Sequence, residues 1–180
     1  MKTKINIKEL CKRIRYGRTR GGMVWSREDN RHFITNRHWL VRFDELPREV
    51  KIELFSVFCK IPEVGQTLNI FAGQESETKP VKYDNIYQPD KQDAIGEVTP
   101  FMKEIGEKHF ARVLKFPEHF AFNDEDYFKL AEGDSDIKTQ GNSPLKPVYL
   151  AGGDLLVLPI RVSESGNDTT IKELTEAVSE

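Results

Sequence analysis

The sequence is poor in cysteine and has no long apolar run. Its two cysteines, Cys11 and Cys59, are too few for a disulfide framework and do not lie in a zinc-binding pattern. The longest apolar run, 155–160, is far shorter than the roughly 20 residues that a membrane-spanning helix needs. Residues 1–8 contain no apolar segment typical of a secretory signal. We therefore expect a cytoplasmic protein with free thiols and no contact with membranes.

Sequence signatures of catalysis are missing as well. The chain has no Walker loop, no Gly-x-Ser-x-Gly elbow and no Rossmann fingerprint, and its four histidines are scattered. Asp124, Glu125 and Asp126 could hold a divalent cation, but adjacent acids also suit the positive end of a helix dipole, which is the interpretation we favour. The sequence predicts a protein that is not an enzyme and has no metal site or cofactor. An enzyme whose site is assembled from acids is the weaker alternative.

The distribution of charge along the chain is uneven. Residues 1–42 contain 12 Lys and Arg against 3 Asp and Glu, a net charge of +9, whereas the whole chain carries -2. Eight of these twelve bases are arginine, whose guanidinium suits bidentate phosphate contacts. Charge segregated in this way favours salt-sensitive binding of nucleic acid through one face only. A solvated strand edge is the alternative explanation.

Hydrophobic periodicity predicts one domain of the α+β class over residues 1–162. The expected elements of the first half are a strand at 2–8, a helix at 8–16 ended by Gly17, strands at 23–27 and 32–43, a helix at 48–60 and a strand at 68–71. The segment 72–99, rich in polar and turn-forming residues, predicts a long loop or insertion.

The second half predicts shorter elements and a tail. The expected elements are a strand at 109–116, a helix at 124–131 capped by Asn123, strands at 137–139 and 148–150, a turn at 152–154 and a strand at 155–162. Residues 163–180 are polar and acidic, and they predict either a short helix or a partly disordered tail.

Several segments resemble one known family. Segments 122–128 (FNDEDYF), 142–145 (NSPL) and 155–162 (LLVLPIRV) resemble the last domain of bacterial sliding clamps, the DNA polymerase processivity subunits. In that family an Asn-capped helix is followed by a Ser-Pro strand and by a final strand with an apolar-Pro-apolar-Arg-apolar signature. Segments 22–25 (GMVW) and 33–42 (FITNRHWLVR) look like the clamp hairpin, whose second strand carries an Ala-Thr-Asp-Gly-Tyr/His-Arg-Leu segment.

The resemblance implies a DNA-clamp-like fold, with two helices on one side of curved antiparallel sheets. Clamps encircle double-stranded DNA, catalyse nothing and tether replication proteins that dock through short peptides. The implied function is therefore a non-catalytic tether or scaffold in DNA replication. A single-domain clamp must form a homo-oligomer to close a ring. The alternative is a clamp-fold module that binds or imitates a replication protein without encircling DNA.

Charge and the resemblance together give two sets of candidate site residues. The basic first helix is expected to contact DNA through Lys8, Lys12, Arg13, Arg15, Arg18 and Arg20. The partner-peptide cleft of clamps corresponds to Thr35, His38, Leu40, Leu158, Pro159, Ile160 and Arg161. Arg37 stands where clamps have glycine, so its bulk narrows or fills the implied pocket. Segment 66–71 looks like a clamp-binding peptide, but its apolar alternation favours a core strand.

Overall fold

The computed structural model combines helices with antiparallel strands. It describes residues 4–78, 82, 83, 86, 94–133, 137–140, 143–161, 173 and 176. The helices are α1 (Ile7–Arg20), α2 (Arg48–Phe58) and α3 (Glu125–Phe128). The strands are β1 (Gly22–Glu28), β2 (Arg31–Thr35), β3 (Trp39–Phe43), β4 (Thr67–Phe71), β5 (Gln74–Thr78), β6 (Ala94–Gly106), β7 (His109–Lys115), β8 (Phe120–Asp124), β9 (Ile137–Thr139), β10 (Val148–Leu150) and β11 (Leu155–Val157).

The strands of the described part form one large antiparallel sheet. Its order is β5-β4-β1-β2-β3-β11-β10-β9-β6-β7-β8. Strands β1, β2 and β3 pair in succession and β4 pairs with β5 as hairpins close in sequence, whereas β4 joins β1, β11 joins β3 and β9 joins β6 across long stretches of chain. The predicted α+β class is confirmed. Among the described residues, no helix is long and apolar enough to cross a membrane.

Both long helices pack on one face of the central strands. Successive side chains of a strand point to opposite faces, so Trp25 of β1 lies on the helix side while Val24 lies on the other. Helix α1 buries Ile14 against this face, and α2 buries Phe58, whose ring centroid lies 5.9 Å from that of Trp25. The expectation of two helices on one side therefore applies to α1 and α2.

A smaller apolar cluster covers part of the opposite face. It consists of Val24, Phe33, Leu40, Tyr83, Tyr149 and Leu156. Tyr83 stacks on Phe33 with ring centroids 5.5 Å apart, and its backbone N–H donates to Glu28 Oε1 at 2.6 Å. Tyr83 belongs to a segment that was predicted to be a surface loop, and it nevertheless lies buried on the sheet.

The first helix differs from its prediction at both ends. The backbone N–H of Glu9 donates to Asn6 Oδ1 at 3.1 Å, so Asn6 caps the helix where the strand 2–8 was expected. Within that range, Ile5 forms an isolated β-bridge with Ala131, and residues 1–3 lie outside the described part. Gly17 does not end the helix. A Cβ there would lie 2.6 Å from Met23 Cε, so glycine permits close packing of α1 on β1.

The predicted strand 32–43 is in fact two strands joined by a tight turn. Asn36 Oδ1 accepts hydrogen bonds from the backbone N–H groups of His38 and Trp39, at 2.9 and 3.2 Å. This Asx turn reverses the chain, and β2 and β3 pair with each other. Arg37 at its tip has a φ of 77°, a left-handed conformation that favours glycine.

Part of the predicted loop 72–99 is strand. Ala72 and Gly73 have φ values of 49° and 75°, and this left-handed pair turns β4 back into β5. The long strand β6 begins at Ala94, still within the predicted loop. Of the residues between these strands, 82, 83 and 86 are described, and the rest of the predicted loop there lies outside the described part.

The predicted helix 124–131 was wrong in length and in its cap. Strand β8 pairs with β7 up to Asp124, and only Glu125–Phe128 are helical. Asp124 Oδ1 accepts from the backbone N–H of Asp126 at 2.9 Å and is the cap, whereas Asn123 is a buried strand residue.

The predicted final strand 155–162 is shorter than expected. Strand β11 ends at Val157, two residues before Pro159, which lacks an N–H for the ladder. The short helical turn Ala151–Gly153 confirms the predicted change of direction before it. Val162 and the predicted tail 163–180, apart from Glu173 and Glu176, lie outside the described residues.

Candidate functional site

Four of the six predicted DNA-contact residues form an exposed basic surface on α1, here called the basic helix face. Its members are Lys8, Lys12, Arg15 and Arg18. The spacing of Lys8, Lys12 and Arg15 places their side chains on one side of a helix, opposite the buried Ile14. The sequence predicted that Lys8, Lys12 and Arg15 share one side of the helix, because helical periodicity is a local property, and their contact with DNA stays a prediction.

Contacts with α2 hold part of the basic helix face in place. Arg15 Nε lies 2.8 Å from Glu53 Oε1, and Arg18 Nη1 donates to the carbonyl of Ser56 at 3.3 Å. The Arg15 side chain is still 68% exposed. Helix α2 adds exposed Arg48 and Lys51, so the cations of the two helices share one side of the molecule.

The other two predicted DNA-contact residues are placed differently. Arg13 is half-buried: its Nε lies 3.0 Å from Glu9 Oε1, and its Nη2 donates to the carbonyl of Asp126 at 2.9 Å. Its guanidinium also lies 5.4 Å from the ring centroid of Tyr127. The geometry makes Arg13 a link between α1 and α3. The side chain of Arg20 lies outside the described part.

The structure brings together three of the seven predicted cleft residues. Thr35, Leu40 and Leu158 line one cavity of about 180 Å³, together with Arg37, Trp39, Tyr83, Ile86 and Leu156. Thr35 and Leu40 are buried, and Thr35 Oγ1 donates to the Trp39 carbonyl and accepts from the Arg37 N–H. The chain's own Tyr83 and Ile86 form one wall, which the sequence did not predict.

The remaining predicted cleft residues point elsewhere. His38 is exposed and stacks on Tyr127, with ring centroids 6.4 Å apart. Ile160 packs on the cluster around Phe122 and donates its N–H to the carbonyl of that residue. Pro159 and Arg161 do not line the cavity, and Arg161 is exposed.

A larger concave surface, here called the α1 groove, lies between α1, the β2–β3 turn and α3. Its volume is about 670 Å³. Its lining includes the side chains of Glu9, Lys12, Arg13, Tyr16, Arg37, His38, Phe71, His109, Asp124, Asp126 and Tyr127. Five separate parts of the chain contribute to it, so sequence reasoning had no local signal from which to find it.

One end of the α1 groove contains a cluster of potential metal ligands. His109, Asp124 and Asp126 each offer a ligand atom, and these atoms lie within 4.8 Å of one another. However, Lys129 Nζ lies 2.5 Å from Asp126 Oδ1 and lowers the pKa of that carboxyl. Asp124 already caps α3. These contacts explain the cluster as an ion-pair network that ties α3 to its surroundings.

Tyr127 anchors the opposite walls of the α1 groove to each other. Burial is the main reason that its pKa is raised, and a hydrogen bond with the Asn36 side chain opposes that shift. Tyr127 thus contacts α1 through Arg13 and the β2–β3 turn through Asn36 and His38. The groove is consequently bounded by elements that are fixed relative to one another.

No protein-family model, curated protein or solved structure matches the chain.

Proposed function

We propose that this protein is a non-catalytic, clamp-like tether that contacts duplex DNA through the basic helix face. The observation that carries the proposal is the exposure of Lys8, Lys12 and Arg15 on one side of α1 and of Arg18 near the end of that helix, with exposed Arg48 and Lys51 on α2, which packs on the same face of the sheet. Cations spread over a helix pair provide phosphate contacts that do not depend on base sequence.

The distribution of charge supports a one-sided contact. The whole chain carries a net charge of -2 while residues 1–42 carry +9, so attraction to phosphate is concentrated in the part of the chain that contains the basic helix face. Such a contact is weak and salt-sensitive, because its free energy comes mainly from the release of counterions. A tether that must move along DNA requires weak, sequence-independent contacts of this kind.

Assembly of several chains is part of the proposal. One chain is too small to surround a duplex, so a ring requires a homo-oligomer. Among the described strands β5 lies at one edge of the sheet and pairs with β4 alone, and an edge strand can pair with a strand of another chain. Its exposed residues Gln74, Glu75 and Ser76 are polar, which suits an edge that is solvated until a second chain pairs with it.

The second candidate function is a clamp-fold interaction module that binds a replication protein. The observation that favours it is the cavity lined by Thr35, Leu40 and Leu158, which is concave and largely apolar. At about 180 Å³ it accommodates one side chain rather than a whole peptide. This candidate requires no contact between α1 and DNA.

Sedimentation velocity and fluorescence anisotropy with a labelled duplex test the first candidate. The variant Lys8→Glu/Lys12→Glu removes two cations of the basic helix face, and Lys108→Glu/Lys146→Glu removes two exposed cations outside it. We expect the first variant to weaken binding on every duplex sequence and to reduce the salt slope by about two, with the control close to the wild type.

The outcomes separate the two candidates. A concentration-dependent oligomer that co-sediments with the duplex supports the clamp-like tether. A wild-type protein that stays monomeric and ignores duplex at low salt overturns it. Equal weakening by both pairs of substitutions also overturns it, because net charge rather than the basic helix face would then govern binding.

A further inference from the structure

Two aromatic rings are left exposed in the α1 groove. Tyr16 of α1 and Phe71 at the end of β4 are each 58% exposed, although both flank the same concave surface. The Phe71 ring packs beside Gly22, where an added Cβ would lie 3.1 Å from the ring. Exposed rings on rigid backbone elements provide flat apolar surfaces on which a planar ligand can stack.

The cation next to Phe71 occupies a position where arginine is costly. Arg37 has a φ of 77°, and a residue with a Cβ is disfavoured there by about 1 kcal/mol or more relative to glycine. Its guanidinium carbon lies 5.7 Å from the Phe71 ring centroid. The turn around it is fixed by two hydrogen bonds: the Arg37 N–H donates to Thr35 Oγ1, and the Trp39 N–H donates to Asn36 Oδ1. The turn therefore holds a guanidinium beside an exposed ring, although the backbone conformation of Arg37 is strained.

The charges of the groove favour an anion at this end. Lys12, 75% exposed, projects from α1 at the rim. The acids lie by α3 or are paired: Arg13 Nε lies 3.0 Å from Glu9, with Lys12 farther away at 3.4 Å, and Lys129 pairs with Asp126. Arg37 has no ion pair among the described residues, so its charge is available to a ligand.

We propose that the α1 groove binds unpaired nucleotides of single-stranded DNA. Their bases stack on Tyr16 and on Phe71, and their phosphates contact Arg37 and Lys12. Aromatic rings beside a cationic path are the combination by which proteins bind single strands without reading sequence. The volume of about 670 Å³ lies within the range of small-ligand sites.

The inference rests on the proposed function and extends it to a specific form of DNA. Lys12 belongs both to the basic helix face and to the groove. A duplex lying on α1 would therefore place a single-stranded end close to Tyr16 and Arg37. The protein would then bind a junction between duplex and single strand more tightly than a blunt duplex.

The test measures anisotropy with an oligothymidylate of about eight nucleotides, a length within known single-strand site sizes. Tyr16→Ala and Phe71→Ala are each expected to weaken binding about 5- to 150-fold, the range measured for loss of one stacked base. The matched control is Phe110→Ala, which removes an exposed ring of β7 outside the groove lining.

Arg37→Gly is the most informative variant, because glycine is favoured at this φ and the turn is therefore expected to fold. Glycine suits a φ of 77°, so the melting temperature should stay the same or rise while binding of oligothymidylate falls and its salt slope drops by about 0.7. Cys59→Gly, which relieves a φ of 55° at the end of α2, is the control for backbone conformation alone.

The outcomes distinguish this inference from the proposed function. If the duplex binds and Lys8→Glu/Lys12→Glu weakens it, but Tyr16→Ala, Phe71→Ala and Arg37→Gly leave oligothymidylate binding unchanged, the groove inference is overturned and the tether stands. If the wild type binds neither probe at low salt, both are overturned. Weakened oligothymidylate binding in the three groove variants with unchanged controls supports the inference.

Discussion

The strands β1–β4 and the strands β6–β8 belong to one sheet but are covered to very different extents. Strand β1 is buried at Met23, Val24, Trp25 and Ser26, because helices cover one face and a second apolar cluster covers part of the other. Strand β6 is 13 residues long and mostly exposed. The buried cluster beyond it contains four residues, Ala111, Val113, Phe120 and Phe122.

This difference shows that apolar composition alone does not create a core. Strand β6 exposes Ile95 at 70%, Val98 at 51% and Met102 at 52%, although each is as apolar as residues buried in β1. They stay exposed because, in the described part of the chain, α1 and α2 pack on the central strands rather than on β6. The basic helix face and the α1 groove both include elements of the well-covered region, which consists of β1–β4 and the helices packed on them. Packing there fixes the side chains in position.

The largest expected effect comes from truncating one phenylalanine in each region. Phe58 fills the space between α2 and Trp25, so Phe58→Ala should cost about 3–5 kcal/mol in free energy of unfolding. Phe122→Ala, in the smaller cluster, should cost less, because the edge strand can collapse into the space left behind. Urea titration of both variants measures the difference. Equal costs would break the comparison, since the two clusters would then be equally well packed.

An intermediate effect is expected where β6 passes close to the core. A Cβ on Gly96 would lie 2.4 to 2.9 Å from three atoms of the Phe116 ring, which is buried. Gly96→Ala should therefore destabilise the protein by about 1–3 kcal/mol through overpacking.

Gly106→Ala, in the same strand, is the matched control for that substitution. The nearest atom to an added Cβ is His109 Cβ at 3.8 Å, an ordinary contact distance, and its φ is not left-handed, so the change should stay within about 0.5 kcal/mol. Thermal melts of both variants compare them. A tolerated Gly96→Ala would mean that β6 is not held against Phe116.

The smallest effect concerns pH. Burial, aided by Arg27 and Lys51, lowers the pKa of His32 from 6.5 to about 4. The unfolded chain takes up this proton at higher pH than the folded protein, so this residue's contribution to stability is lost as pH falls from 6.5 to about 4. Trp25 Nε1 donates to His32 Nδ1 at 3.2 Å, which requires that nitrogen to be unprotonated.

His32→Gln tests this dependence. Glutamine does not titrate, so the free energy of unfolding should fall less steeply between pH 6.5 and 4 than in the wild type, as measured by urea denaturation at several pH values. His119→Gln is the comparison in the thinly covered region, where burial also lowers a histidine pKa. Parallel curves for His32→Gln and wild type would show that His32 is not the residue responsible.

The elements that the sequence predicted well depend on neighbours along the chain. Helix α2 was predicted at 48–60 and observed at Arg48–Phe58, because its apolar residues recur at helical spacing. The segment 66–71 was correctly interpreted as a core strand, with Leu68 and Ile70 buried in β4. The turn before β11 was also predicted from its glycine pair.

The elements that the sequence missed depend on distant partners. Strand β6 has little apolar alternation, and it is a strand because β7 and β9 supply hydrogen bonds on its two sides. The 32–43 strand was predicted as continuous, whereas the side chain of Asn36 forms a turn in its middle. Periodicity carries no information about either interaction.

By itself, the sequence determined where charge and the longest helices lie, since both depend on residues within a few positions of one another. The basic helix face follows from the spacing of Lys8, Lys12 and Arg15 alone. Only the tertiary structure decided the α1 groove, because Tyr16, Arg37 and Phe71 are far apart in sequence and meet through the pairing of β1 with β2 and β4. Pairing between strands depends on packing across the whole sheet, which no local stretch of sequence encodes.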